Sequence, residues 1–191
     1  MLAGLITRRP MVQIHSPLIK IKKMEKDLAW LAGLMDGEGC YTINISKHHK
    51  YALKIEPRIS LSMKMAPWVN KVKRLFEEYS ITYFANGRQY NQMEFVIRNQ
   101  SAKNLINLLL PFSEIKKPVM SKILELPSRA HRNRFVPMQQ DYIDKIVEVV
   151  DFIRKFNYSK NRKHKWDGAL IRRYYKNPKL DYKSIKPHGV Y

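Results

Sequence analysis

Asp36, Gly37, Glu38 and Gly39 set two carboxylates and two flexible residues directly behind an uncharged stretch, Leu28-Ala29-Trp30-Leu31-Ala32-Gly33-Leu34-Met35. The uncharged stretch reads as a helix, and a helix this apolar is expected to be buried on most sides. Ala32 and Gly33 in its middle would let another backbone approach closely, since glycine otherwise costs a helix roughly 1 kcal/mol. The carboxylates then fall at the helix C-terminus, the negative end of its dipole. A positive partner such as a metal ion would relieve that placement. Hard divalent cations such as Mg2+ take oxygen ligands and keep several waters, so one or two carboxylates suffice for a site. Glu38 with the carbonyl of Gly37 is therefore a candidate set of ligands. An ion held there could activate water and neutralise the charge that develops when a phosphodiester is hydrolysed. Two chains meeting along the Ala32 and Gly33 faces would bring two Glu38 carboxylates side by side.

The composition points to a partner that carries phosphates. In 191 residues, 36 Lys and Arg stand against 16 Asp and Glu, a formal net charge of +20. A domain this basic is expected to bind a polyanion, and nucleic acid fits better than a membrane surface. Apolar residues make up 45% of the chain, which excludes a disordered protein. No apolar run is long enough for a transmembrane helix. Cys40 is the lone cysteine, so neither a disulfide framework nor a CxxC zinc site can form within one chain. His15, His48, His49, His131, His164 and His188 show no ligand-like spacing with it.

The elements that must position Glu38 follow in order. Residues 1–24 lack any acid and carry Arg8, Arg9, Lys20, Lys22 and Lys23. They read either as an organellar targeting segment or as a basic arm lying on nucleic acid. Pro10 and Pro17 should break a long amphipathic helix there, which weighs against targeting. Residues 40–46 alternate, with Tyr41, Ile43 and Ile45 on one face and Thr42, Asn44 and Ser46 on the other, the period of a half-buried strand. A basic turn, Lys47-His48-His49-Lys50, leads to a second alternation over 51–64. There Leu53, Ile55, Ile59, Leu61 and Met63 share a face, opposite Lys54, Glu56, Arg58, Ser60, Ser62 and Lys64. Such a hairpin can pack a helix behind its apolar face and read a major groove with the polar one.

Residues 66–79 predict a helix with Val69, Val72, Leu75 and Phe76 inward, and 81–85 with 92–98 a second hairpin turning near Asn86-Gly87. Ser101 is the expected N-cap of a helix through Leu110, Pro118 the start of another through Leu126, and 139–156 a long amphipathic helix. From Arg154 onward, lysines and arginines face only Asp167 and Asp181. Trp166, Tyr174, Tyr175, Tyr182 and Tyr191 are interleaved among them, a pattern suited to stacking on single-stranded or RNA bases.

Leu31-Ala32-Gly33-Leu34-Met35-Asp36-Gly37-Glu38-Gly39 resembles the motif of the LAGLIDADG homing endonucleases in their single-motif, homodimeric form. An earlier Leu2-Ala3-Gly4-Leu5-Ile6 repeats the letters, but Thr7-Arg8-Arg9 follow, with no carboxylate. The resemblance extends from residue 28 to about 176. It implies an α+β fold of order αββαββα with additional C-terminal helices, flanked by basic extensions at 1–26 and 177–191. It sets Glu38 at the family's metal-binding acid, Gly37 at the ligating carbonyl, and Leu31, Ala32, Gly33 and Asp36 at the dimer interface. Pro111-Phe112-Ser113-Glu114-Ile115-Lys116 resembles the segment that delivers an active-site lysine, here Lys116. Thr42, Asn44, Ser46, Lys54, Glu56, Arg58, Ser60 and Ser62, with Lys64 beyond them, fall on base-reading strand faces. Ser159, Lys160, Arg162 and Lys163 fall in a phosphate-contacting loop. Two positions depart from the family: Met65 stands near a water-positioning glutamine and Val69 near an accessory arginine.

The implied activity is Mg2+-dependent (or other divalent-cation-dependent) cleavage of both DNA strands by a homodimer on a nearly palindromic site, with no membrane partner. A competing reading is a catalytically inactive RNA-binding protein on the same fold, acting on an intron RNA or on ribosomal RNA. An organellar setting, mitochondrion or chloroplast, with a reduced cysteine, fits the abundance of Lys, Ile, Asn and Tyr.

Overall fold

Residue 39 has no room for a side chain: a Cβ built on Gly39 would lie 2.4 Å from the carbonyl oxygen of Met35. There, without a connecting loop, the chain turns from helix α1 (Pro17–Glu38) into strand β1 (Gly39–His49). A computed structural model describes residues 17–49, 52–64, 67–88, 91–126, 140–157 and 166–176. The remaining elements are β2 (Ala52–Lys64), α2 (Pro67–Glu78), β3 (Tyr83–Arg88), β4 (Gln92–Arg98), α3 (Asn99–Leu109), α4 (Lys117–Leu124), α5 (Gln140–Phe156) and α6 (Gly168–Lys176). The order is αββαββα followed by three further helices, the α+β layout expected above. Among the described residues, no helix is long and apolar enough to cross a membrane.

The four strands form one antiparallel sheet in the order β1-β2-β4-β3. Period-2 alternation sends Tyr41, Ile59, Leu61, Met63, Phe95 and Ile97 to one face. There they meet Leu28, Leu31 and Met35 of α1 and the inner sides of α2, α3 and α4 in a single core. Fully burying a leucine, isoleucine or valine is worth roughly 1.5–3 kcal/mol, so this face fixes the strand register.

The two hairpins differ in length. β4 pairs with β2 only from Arg58 to Lys64, so the part of the β1–β2 hairpin between Ile43 and Leu53 extends past its neighbours. Its apolar side, with Ile43, Ile45, Leu53 and Ile55, is covered by a second core built from Ile143, Ile146, Val147 and Val150 of α5 with Trp166, Ile171 and Tyr174. Helix α6 lies close against α5. A Cβ on Gly168 would sit 2.4 Å from Asp151 Oδ2 and 2.5 Å from Val147 Cγ1.

Four expectations are corrected. Pro17 opens α1 rather than breaking a helix, because a proline at the first helical position forfeits no intrahelical hydrogen bond. Residues 17–26 are therefore helical. The stretch from Leu28 to Met35 is buried on most sides, as expected, and its one open side carries Ala29 and Gly33. Asn86 and Gly87 lie inside β3, paired with Glu94 and Met93, and the chain reverses beyond Arg88, where Asn91 takes a φ of 56°. Asparagine tolerates that left-handed conformation better than most residues. Ser101 lies within α3, which starts at Asn99 behind an extended Arg98 that makes no side-chain cap. Trp166 and Tyr174 are core residues with rings 5.5 Å apart at 85°, so they are not free to stack on bases.

Candidate nucleic-acid interface and metal ligands

Of the two carboxylates in the last turn of α1, Asp36 finds its partners in its own chain. Asp36 Oδ1 accepts hydrogen bonds from Ser113 Oγ at 2.6 Å and Lys116 N at 3.1 Å. Its Oδ2 accepts from Glu114 N at 2.8 Å and Ile115 N at 3.1 Å. These amides lead into α4, whose first N–H groups have no intrahelical acceptor. Partial burial pushes the Asp36 carboxyl up, and the hydrogen bonds from Ser113, Glu114, Ile115 and Lys116 outweigh it, holding it below its ordinary 3.8. Asp36 is thus committed within the chain, and stays half-buried beside the open side of α1.

Two residues further on, Glu38 is exposed and makes no hydrogen bond or ion pair with another described residue. Gly37 is also exposed, and a Cβ there would meet nothing within 4 Å. A carboxylate and a helix-terminal carbonyl are hard oxygen donors of the kind Mg2+ takes. Among the described residues, no group of three or more His, Cys, Asp and Glu is placed to hold a metal. The Asp36 anchor brings Lys116 to the same end of α1, because the lysine's own backbone N–H is one of the four donors. Val69 is buried in the core from α2, so its side chain is absent from this surface. Met65 lies outside the described residues.

The outward face of α1 differs from the expected one. Leu31 and Ala32 are 0% and 1% exposed and belong to the core of this chain, so they are not available to a partner. The rotation of the helix is set by Leu28, Leu31 and Met35, which need burial most. Gly33 is exposed with nothing within 4 Å of a Cβ position, and Ala29 and Gly37 flank it at helical spacing on the open side.

The sheet face turned away from the helices follows from the register. Thr42 lies opposite Arg58, Asn44 opposite Glu56 and Ser46 opposite Lys54. Beyond them come Ser60, Ser62 and Lys64 of β2. Lys54 and Lys64 are exposed, while Thr42, Asn44, Ser46, Arg58, Ser60 and Ser62 are half-buried. The structure extends this face onto two strands whose faces the sequence left unassigned. Arg98 pairs with Arg58, Val96 with Ser60, Glu94 with Ser62 and Gln92 with Lys64. On β3, Phe84 pairs with Val96 and Asn86 with Glu94. Phe84 is 61% exposed, with the Arg98 guanidinium 5.8 Å from its ring centre. Phe95-Val96-Ile97 are all buried and hide the alternation of β4 from a sequence reading; only the register separates its two faces.

Asn157 closes α5 and donates from Nδ2 to the carbonyl of Tyr41 at 2.6 Å, tying that helix end to β1. Ser159, Lys160, Arg162 and Lys163 lie outside the described residues.

A four-stranded antiparallel sheet with one polar face, backed by helices and entered from a helix tipped with a free carboxylate, is the architecture of a LAGLIDADG homing endonuclease fold. Residues 31–126, half of the sequence, match the LAGLIDADG endonuclease family, and the chain belongs to it. The DNA endonuclease I-CvuI of Chlorella vulgaris is 25% identical over 99 residues, which is 51% of this chain and 62% of that protein, less than two thirds of its length. Among solved structures, the homing endonuclease I-CvuI in complex with a DNA target matches with a TM-score of 0.61 at 17% identity, covering 82% of this chain and 96% of that one. The archaeal intron-encoded homing endonuclease I-Vdi141I, complexed with DNA, matches with a TM-score of 0.59 at 18% identity, covering 81% and 97%. At such identities the structural likeness speaks to the fold.

Proposed function

We propose that the protein is a site-specific DNA endonuclease that acts as a homodimer and cleaves both strands with a divalent cation. The observation that carries this reading is the free carboxylate of Glu38 beside the Gly37 carbonyl, at a helix end whose other carboxylate is already committed. Glu38 and Gly37 would hold the metal, which supplies an activated water and charge neutralisation. Lys116, held at the same helix end, would stabilise charge on the cleaved phosphate. Gly33, flanked by Ala29 and Gly37, gives the dimer its closest approach. Thr42, Asn44, Ser46, Lys54, Arg58, Ser60, Ser62 and Lys64 would contact the bases, and Ser159, Lys160, Arg162 and Lys163 the phosphates. The composition rich in Lys, Ile and Asn supports an organellar setting.

The competing RNA-binding reading draws on Val69, a core residue where the resemblance implied an accessory arginine. It loses part of its support with the burial of Trp166 and Tyr174. The test is incubation of the protein with a randomised duplex DNA library and Mg2+, followed by sequencing of cut ends. A discrete cut site is expected, lost in Glu38→Gln while binding to the same site persists. Cleavage by the variant at the wild-type rate would reject Glu38 as the ligand, and an absence of cutting by the wild type would reject the nuclease.

A further inference from the structure

Two acids lie on the sheet face turned toward the proposed polyanion, and both are buried: Glu56 at 3% and Glu94 at 8% exposure. A carboxylate in that position repels phosphates, and a buried one needs a charged partner. Each has a cation beside it. Lys54 Nζ is 2.5 Å from Glu56 Oε2, on the same strand. Arg58 Nη2 is 3.8 Å from Glu94 Oε1, on the neighbouring strand.

The second pair is the less expected one. Arg58 is in register with Arg98, so two cations stand side by side, and Arg98 leans over the Phe84 ring. Glu94 stands opposite Ser62, four residues along β2 from Arg58. To reach it, the Arg58 side chain must run along the sheet across the Ser60–Val96 pair instead of standing away from it. The burial of Val96, on an otherwise polar face, agrees with that cover.

The contact directs the guanidinium without using up its donors. A separation of 3.8 Å is an ion pair, too long for a hydrogen bond. Arg58 Nε is buried, without a hydrogen-bond partner among the described residues, and is closed to a base, while the side chain as a whole is 33% exposed. A planar fork held in place with its Nη donors uncommitted is suited to two acceptors lying in one plane. In the major groove guanine presents N7 and O6, both acceptors, whereas adenine presents one acceptor and an amino donor.

We propose that Glu94 is a positioning residue that presents Arg58 to one guanine in each half of the target, and so sets a base of the recognised sequence. The proposal rests on the DNA-binding reading of this face. It is tested by selecting bound sequences from a randomised duplex DNA pool with the full chain as wild type, E94Q and R58K. Wild type should enrich guanine at one position of each half-site by about tenfold or more. Both variants should lower that enrichment by about tenfold and leave the other positions as they were, because glutamine lacks the directing charge and lysine lacks the fork. The salt dependence of R58K binding should match wild type, since the charge is kept. Failure of the wild type to select any DNA sequence would overturn the DNA-binding reading and the proposal with it. A selected site whose guanine both variants retain would overturn the proposal alone, and retention by a folded E94Q would remove the role of Glu94. If E94Q does not fold, judged by its melting curve, R58K decides: loss of the guanine supports the assignment of Arg58 and retention overturns it.

Discussion

Asp36 and Ser113, 77 residues apart, are joined by a hydrogen bond of 2.6 Å from the serine hydroxyl to the aspartate Oδ1. With three backbone donors from Glu114, Ile115 and Lys116, this makes Asp36 the acceptor for the turn that leads into α4. A carboxylate at the C-terminal end of α1 is unfavourable by its own helix dipole. The amides before α4 reverse that sign, because the N-terminal end of a helix is electropositive. The end of the motif helix and the segment carrying Lys116 are thereby locked together.

Asp36→Asn should destabilise the fold at neutral pH by about 1 kcal/mol or more, the scale of a hydrogen bond to a charged acceptor. The carboxyl is held below its ordinary 3.8, so its contribution is present in full above that value. It is lost as the pH falls through 3.8 toward the lowered folded value. Urea unfolding of both proteins, from neutral pH down to about pH 2, should show the gap between them closing on the acid side. A gap independent of pH would mean that the charge of Asp36 contributes nothing to these contacts.

Gly33→Leu should leave the single chain folded and block its pairing. Nothing lies within 4 Å of a Cβ at this position, so the chain's own packing does not object. Leucine also gains roughly 1 kcal/mol of helix propensity over glycine. The melting temperature at low concentration should therefore hold or rise while light scattering reports a monomer. A dimer of wild-type affinity would move the interface away from this face of α1.

Trp166→Ala should cost about 3 kcal/mol or more in stability, as for other buried aromatics cut back to alanine. Trp166 packs edge-on against Tyr174 in the core beneath the longer hairpin. The number of phosphates contacted, read from the salt dependence of binding at a temperature where the variant is folded, should not change. A normal melting curve with weakened binding would instead restore Trp166 as a stacking residue.

Where one face of an element is buried and the other wet, the residues could be read directly. The alternations of Tyr41-Thr42-Ile43-Asn44 and Leu53-Lys54-Ile55-Glu56 named strands and faces that the register bears out, apart from the burial of Glu56. The motif from Leu31 to Gly39 was equally plain, since helix, carboxylates and turn glycine are contiguous. Local patterning failed where a residue's fate depends on something distant. Leu31 and Gly33 are both compatible with a helix interface, and only the packing of α1 on the sheet turned one inward and the other outward. Phe95-Val96-Ile97 reads as an uninterrupted apolar run, and only the pairing of Val96 with Ser60 and Phe84 puts it on the polar face.

Sequence alone determined the class of fold, the basic partner-seeking surface and the acid at the end of the motif helix. These follow from composition and from periodicities of 2 and 3.6, which each short segment carries within itself. Tertiary structure alone decided that Asp36 ties down the turn before α4, that Glu38 stays free, and that Glu94 stands beside Arg58. Each of those is a contact between strands or helices far apart in the chain, and a side chain's charge is committed or left available only once its spatial neighbours are in place.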